Sequence, residues 1–148
     1  RGARVIALAS VEKHAAVSAL GADRVLPRSP ENLEADLVDE RITVVADVVG
    51  GPDWHNVIDV LERGGRYVSS GAIAGPIVEL DLRTFYLRDL TLLGSTVIPP
   101  EVTENLIRYI ESKAIRPVLA ASYPLEQLRE AQTAFIAKAH TGNIVVTP

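Results

Sequence analysis

The sequence predicts an α/β fold built on a doubly wound parallel sheet. Strand-like runs alternate with helical patterns along the 148 residues, and this alternation favours parallel strands joined by helical crossovers. The run at residues 43–49 leads directly into Gly50 and Gly51, and a second run at residues 66–70 ends at Gly71. Ligands bind at the carboxyl ends of such strands, where a glycine lets another molecule approach the backbone. The sequence therefore predicts a cofactor-binding protein.

The first elements follow from short local patterns. At residues 4–9 (RVIALA) an unbroken apolar run follows Arg4, which is typical of a buried strand. Ser10 can cap the helix that follows, and Gly21 ends that helix. A short strand at residues 24–26 precedes a helix at residues 31–40, whose leucines recur at helical spacing.

The alternation continues through the rest of the chain. We expect a buried strand at residues 43–49 and a helix at residues 52–61 with Trp54, Ile58 and Leu61 on one face. The remaining predicted elements are a strand at 66–70 after a helix stop at Gly64 and Gly65, a short helix at 80–87, a strand at 90–97, a helix at 101–113 with Leu106, Ile107 and Ile110 inward, a strand at 118–122, an amphipathic helix at 124–139 closed by Gly142, and a final strand at 144–147.

Composition excludes several classes of function. The formal net charge is −4 and no block of Lys or Arg occurs, so we expect no nucleic-acid binding. No apolar stretch reaches membrane-spanning length, so we expect no membrane partner. The chain has no cysteine, which excludes disulfides and thiolate metal sites and fits a cytoplasmic protein. The histidines are too far apart in sequence to suggest a metal site: His14, His55 and His140.

Six segments, taken in order, resemble the medium-chain dehydrogenase/reductase family, the zinc-alcohol-dehydrogenase-like proteins, and within it the zinc-free quinone oxidoreductases. They are VIALASVEKHAAVSALGADRVL (5–26), VVADVVGG (44–51), LERGGRYVSSGAIAG (61–75), LTLLGS (90–95), YPLEQLREAQTAF (123–135) and TGNIVV (141–146). The resemblance implies a Rossmann-like fold that here lacks the first strand and its glycine-rich turn, since no G-x-G-x-x-G sequence occurs. Asn143 stands where the family usually has a lysine.

The resemblance also implies a division of the chain into two parts. Residues 1–117 would be a partial dinucleotide-binding domain. Residues 118–148 would be the helix and strand that pack on the family's N-terminal catalytic domain. The chain would be the C-terminal, cofactor-domain portion of such an enzyme and inactive alone. Its catalytic residues are unknown from this sequence, because the family carries them in that other domain.

The adenosine end of the expected cofactor site lies after the second strand of the family fold. Leu8, Ala9 and Ser10 offer no carboxylate for a ribose 2′-hydroxyl, whereas Ser10 and Lys13 could bind a 2′-phosphate. By resemblance, Arg28 falls beside the same phosphate, where a guanidinium could pair with it. We therefore expect NADPH rather than NADH. The alternative is that Ser10 is only a helix cap and that both cations are solvated.

The nicotinamide end is implied by the resemblance alone. Val48, Val49 and Gly50 would pass beneath the nicotinamide ribose, together with Asp47 and Gly51. In the same pose, the residues beside the nicotinamide ring would be Gly71 and Ala72. The alternative is a tight turn that binds nothing.

Two functions of different class remain open. The first is an NADPH-dependent oxidoreductase that transfers hydride to or from a quinone, an enone or an alcohol. The second is a non-catalytic α/β assembly or dimerisation module. By resemblance, we expect a homodimer that joins edge to edge through the strand from Leu90 to Val97.

Overall fold

Residues 2–148, which the computed structural model describes, form seven strands and six α-helices. They are β1 (Ile6–Ala9), α1 (His14–Ala19), β2 (Arg24–Pro27), α2 (Leu33–Asp36), β3 (Ile42–Asp47), α3 (Trp54–Asp59), β4 (Leu61–Ser69), α4 (Leu82–Leu87), β5 (Thr91–Gly94), α5 (Pro100–Glu111), β6 (Leu119–Pro124), α6 (Leu128–Ala137) and β7 (Asn143–Thr147). The chain divides into two compact units, one of residues 26–97 and one of residues 2–25 and 98–148.

The predicted α/β class with parallel strands is confirmed. The strands are hydrogen-bonded in three sheets, β1-β2, β3-β4-β5 and β6-β7, and the second and third sheets are parallel. The expected division between residues 117 and 118 depends on a catalytic domain that only the resemblance implies. This division therefore stays a prediction.

The strand β4 begins five residues earlier than expected. Gly64 and Gly65, which were predicted to stop a helix, lie inside β4 as an irregularity of the ladder. Ile42 pairs with Leu61, but Val44 pairs with Arg66, so extra residues bulge out of β4 between the two pairs. A Cβ on Gly65 would lie 2.8 Å from the Glu62 carbonyl oxygen, which explains why the bulge needs glycine.

The unit of residues 26–97 contains a packed apolar core. Trp54 and Ile58 of α3 are 7% and 1% exposed, and they pack with Leu61, Tyr67 and Leu90. The predicted burial of Trp54 and Ile58 on one helix face is therefore confirmed, whereas Leu61, also expected on that face, is buried as the first residue of β4. Burying a side chain such as Ile58 stabilises the fold by roughly 1.5–3 kcal/mol.

The strand β3 is not buried as predicted. It has one hydrogen-bonded neighbour, β4, and Val44 is 47% exposed. Successive side chains of a strand point to opposite faces, so Val45 packs against the core while Val44, on the other face, stays exposed.

The helices of the other unit bury little of their surface. Leu106, Ile107 and Ile110 of α5 are 39–50% exposed, so the predicted inward face is wrong within this chain. Helix α6 buries Ala131 and ends one turn before Gly142, at Lys138 in the left-handed conformation (φ +52°). Among residues 2–148, no helix is long and apolar enough to cross a membrane.

Candidate functional site

The Asp47 carboxylate fixes the turn that follows β3. Its Oδ1 accepts the backbone N–H of Val49 at 2.7 Å, and its Oδ2 accepts that of Gly50 at 3.1 Å. The Tyr67 hydroxyl donates to the same Oδ2 at 2.7 Å. A short acidic side chain at the end of a strand thus orders the next backbone amides, as Asx turns do.

Glycines in this turn let it pack closely against the loop that follows β4. Gly50 and Gly51 have φ of +59° and +81°, and Gly51 N–H donates to the Gly75 carbonyl at 3.0 Å. A Cβ added to Gly50 would lie 2.8 Å from the Gly75 carbonyl oxygen. A Cβ added to Gly51 would lie 2.8 Å from the Ala74 Cβ. A Cβ on Gly71 would lie 3.2 Å from the Val48 carbonyl oxygen. Contacts within the chain therefore account for these glycines.

The two loops bring together the five residues expected at the nicotinamide end. Val48 and Ala72 are exposed, and Val49, Gly50 and Gly71 are half-buried. The backbone N–H groups of Gly71 and Ala72 have no acceptor among residues 2–148, so an acceptor on a bound molecule can reach them. The surface is small, mostly apolar and backbone-rich, and it suits the face of a flat ring that needs positioning without acid or base chemistry.

Tyr67 joins this turn to the core. Its ring packs edge-on against Trp54, with centroids 5.5 Å apart and planes at 81°. Burial raises the pKa of the Tyr67 phenol, and the hydrogen bond to Asp47 raises it further. The neutral, donating form of the phenol is therefore favoured.

The expected adenosine end begins with Ser10, which precedes a 3-10 turn before α1. The Ser10 side chain does not cap that turn. Hydrogen bonds from the Glu12 backbone and the Ser10 side chain lower the pKa of the Glu12 carboxyl. The structure thus places an exposed carboxylate two residues beyond Ser10.

Lys13 contacts a segment far away in the sequence. Its ammonium donates to the carbonyl oxygens of Lys138 and His140 at 3.0 and 2.9 Å. These carbonyls follow α6, where backbone acceptors lack helical partners. One N–H of the ammonium remains for another acceptor.

A surface concavity of about 360 Å³ surrounds this contact. It is lined by Lys13, Phe135, Lys138, His140, Thr141 and Gly142. His140 lies 5.9 Å from the Phe135 ring, centroid to centroid, and its buried Nδ1 has no hydrogen-bond partner among the described residues. The two lysines of this lining, Lys13 and Lys138, suit an anionic ligand.

Arg28 is exposed just after β2 and makes no hydrogen bond or ion pair with the part of the chain that the structure describes. It is therefore free to meet a ligand or to be solvated. No group of three His, Asp or Glu side chains within residues 2–148 could hold a metal ion.

Sequence reasoning missed Tyr67, Lys138 and His140. Tyr67 was visible only as a strand residue, because its bond to Asp47 joins positions 20 residues apart. Lys138 and His140 lie 125 and 127 residues from Lys13, and no local pattern signals such a contact.

Comparison with known proteins gives a consistent result. The family model described as zinc-binding dehydrogenase matches residues 20–146. Acryloyl-coenzyme A reductase of Metallosphaera sedula is 30% identical over 99% of this chain and 44% of its own length. The chloroplastic NADPH-dependent alkenal/one oxidoreductase of Arabidopsis thaliana is 31% identical over 98% of this chain and 34% of its own length.

Comparison with solved structures points to the same kind of protein. A putative alcohol dehydrogenase from Sinorhizobium meliloti 1021 superposes with a TM-score of 0.92 and 45% identity, over all of this chain and 42% of that protein. The Rossmann-like character expected from the motifs is confirmed by such neighbours. The chain corresponds to the C-terminal portion of these relatives and spans less than half of their length.

Proposed function

Because the chain belongs to the zinc-binding dehydrogenase family, we propose that it forms the dinucleotide-binding portion of an NADPH-dependent oxidoreductase. The observation that carries this proposal is the pair of loops at the carboxyl ends of β3 and β4. They bring the exposed side chains of Val48 and Ala72 beside half-buried glycines and available backbone N–H groups, where the parallel strands end. Cofactors of α/β proteins bind at such an edge.

Two of the relatives suggest a class of substrate. Acryloyl-coenzyme A and alkenals or enones share a carbon–carbon double bond conjugated to a carbonyl. We propose this class first, with quinones and alcohols as the other candidates. When bound, the dihydronicotinamide supplies a hydride to the electron-poor carbon of the substrate.

The chain's own residues would position that ring. Val48, Val49 and Gly50 would support one side, and Gly71 with Ala72 would present backbone N–H groups to a carboxamide oxygen. These residues carry no titratable group, so the chain would supply orientation rather than proton transfer.

At the adenosine end we propose that Ser10 and Lys13 favour the 2′-phosphate of NADPH. For Arg28 we propose the same preference from the family resemblance alone. Lys13 keeps one N–H for such an anion, and the side chain of Lys138 adds a positive charge to the same concavity. The NADPH-dependent plant relative supports the choice.

Isothermal calorimetry on the full-length protein tests the proposal, with NADPH and NADH compared in separate titrations. We expect tighter NADPH binding, and we expect Arg28→Ala to reduce the preference by about tenfold, the effect of losing one charge-assisted hydrogen bond. Arg28 is exposed and makes no hydrogen bond or ion pair with the described residues, so we expect the substitution to leave the fold intact. Equal affinity of the unaltered protein for both dinucleotides would refute the adenosine assignment.

We also propose a cytoplasmic homodimer, joined through the strand between Leu90 and Val97. Within this stretch the strand β5 covers only Thr91–Gly94 and pairs with β4 alone, leaving Leu93 half-exposed at a sheet edge. In sedimentation experiments we expect Leu93→Glu to produce monomers, while Leu82→Glu, at a more exposed position outside the strand, should not. Dimers that persist in the Leu93 variant would argue against this interface.

A further inference from the structure

Tyr67 contacts both ends of the glycine turn, residues 48–53, that connects β3 to α3. Its hydroxyl bonds the Asp47 carboxylate immediately before the turn, and its ring packs on Trp54 immediately after it. Asp47 in turn accepts the backbone N–H groups of Val49 and Gly50. One buried side chain, 5% exposed, therefore anchors the entry and the exit of the same turn.

The register of the sheet makes this arrangement possible. Val45 pairs with Tyr67 and Asp47 pairs with Ser69 in the parallel ladder of β3 and β4. Alternate residues of a strand share a face, so Val45, Asp47, Tyr67 and Ser69 all point to one side. The Tyr67 ring lies on that side two residue pairs before the pair of Asp47 and Ser69, and it contacts both the Asp47 carboxylate and Trp54.

The turn itself has little intrinsic preference for its conformation. Gly50 and Gly51 both adopt left-handed φ, and glycine populates many other conformations at similar cost. Something other than local propensity must select the observed one. Two contacts do so: the Gly51 N–H donates to the Gly75 carbonyl, and the Asp47 carboxylate accepts two backbone amides of the turn. The carboxylate is in turn held in place by the Tyr67 hydroxyl.

We propose that Tyr67 is a positioning residue, which holds the glycine turn in the conformation that receives the dinucleotide. This inference rests on the proposed function for the link to the dinucleotide, and on the contacts above for the hold on the turn. Tyr67 itself lies in the core and would act on the turn through the Asp47 carboxylate.

The first test measures the turn without ligand. Hydrogen exchange of peptides covering residues 47–53 is compared among the unaltered full-length protein, Tyr67→Phe and Tyr86→Phe. Tyr67→Phe keeps the ring on Trp54 and removes only the hydroxyl, and we expect roughly tenfold faster exchange, since hydrogen bonds to charged groups are the strong ones. Tyr86→Phe removes a hydroxyl from a 60% exposed ring and should change nothing. Unchanged exchange in Tyr67→Phe would overturn the proposal.

The second test measures the consequence for the ligand. In steady-state assays with NADPH and an enone, Tyr67→Phe should raise KM for NADPH several-fold and leave kcat within about twofold, because the turn must be reordered on binding. Asp47→Asn, which removes the charge but not the shape, should raise KM at least as much. Faster exchange with an unchanged KM would overturn the positioning role. If the unaltered protein binds neither NADPH nor NADH, the proposed function fails, while the exchange experiment still decides whether Tyr67 holds the turn.

Discussion

Residues 26–97 bury their apolar side chains, whereas residues 2–25 and 98–148 leave most of theirs exposed. Of the nine buried apolar residues in the described chain, eight belong to the first group and only Ala131 to the second. The eight are Leu26, Leu33, Leu37, Trp54, Ile58, Leu61, Tyr67 and Leu90. Both regions alternate strands with amphipathic helices, so the difference lies in what covers each helix rather than in its pattern.

Helices α3 and α5 show the difference most clearly. Both have apolar residues at helical spacing, but α3 lies against a three-stranded sheet and α5 has no buried residue. An amphipathic pattern thus predicts a helix and its apolar face, but it does not predict that this chain covers that face.

The largest expected effect comes from the same deletion made in each region. Ile58→Ala should lower the free energy of unfolding by about 4 kcal/mol, because Ile58 is 1% exposed and its removal leaves a cavity. Ile110→Ala, at 39% exposure, should cost less than about 1 kcal/mol. Urea unfolding followed by circular dichroism and by fluorescence of Trp54 measures both. Equal losses would remove the distinction between the two regions.

A second pair of glycine variants separates the cost of a left-handed φ from the cost of a steric clash with the new Cβ. Gly51→Ala should cost about 3 kcal/mol, since the new Cβ meets Ala74 at 2.8 Å in addition to the left-handed φ. Gly64→Ala has a similar φ of +76° but open space around it, so about 1 kcal/mol is expected. Thermal unfolding of the two variants tests the order, and a costlier Gly64 variant would contradict it.

In the less buried region, the Lys13 ammonium holds the segment that follows α6. Lys13→Met should destabilise the protein by about 1 kcal/mol and speed amide exchange at residues 138–142, because two carbonyls lose a charged donor. Lys113→Met, an exposed control outside the concavity, should do neither. Exchange mass spectrometry reports the result. An unchanged 138–142 segment would mean that Lys13 does not hold it.

The smallest effect appears only in alkaline solution. Tyr67 has a raised pKa in the folded state, so the folded protein keeps a proton that an unfolded tyrosine loses above its ordinary value of 10.0. This contribution to stability is complete below that pH and disappears as pH rises through the folded pKa. Urea midpoints should therefore fall above pH 10 in the unaltered protein and fall less steeply in Tyr67→Phe, with Tyr86→Phe behaving like the unaltered protein.

Sequence reasoning predicted the order and type of the elements well, because helix and strand patterns depend on neighbours a few residues apart. It failed at glycines, because a glycine can end a helix, form a β-bulge or allow close packing. Gly64 and Gly65 form a bulge rather than a helix stop, and Gly142 does not close α6. A Cβ on Gly142 would lie 2.5 Å from the Val118 carbonyl oxygen, a contact that no local pattern shows.

The sequence alone determined the α/β class, the parallel strands ending in glycine and the family resemblance, since each depends on short segments in a fixed order. Only the tertiary structure decided which apolar faces are covered, where the ammonium of Lys13 bonds and how Tyr67 holds the glycine turn. These features depend on contacts between residues 20 to 127 positions apart. Burial and hydrogen bonding are decided by whatever the fold brings alongside a residue, and a linear pattern carries that information only indirectly.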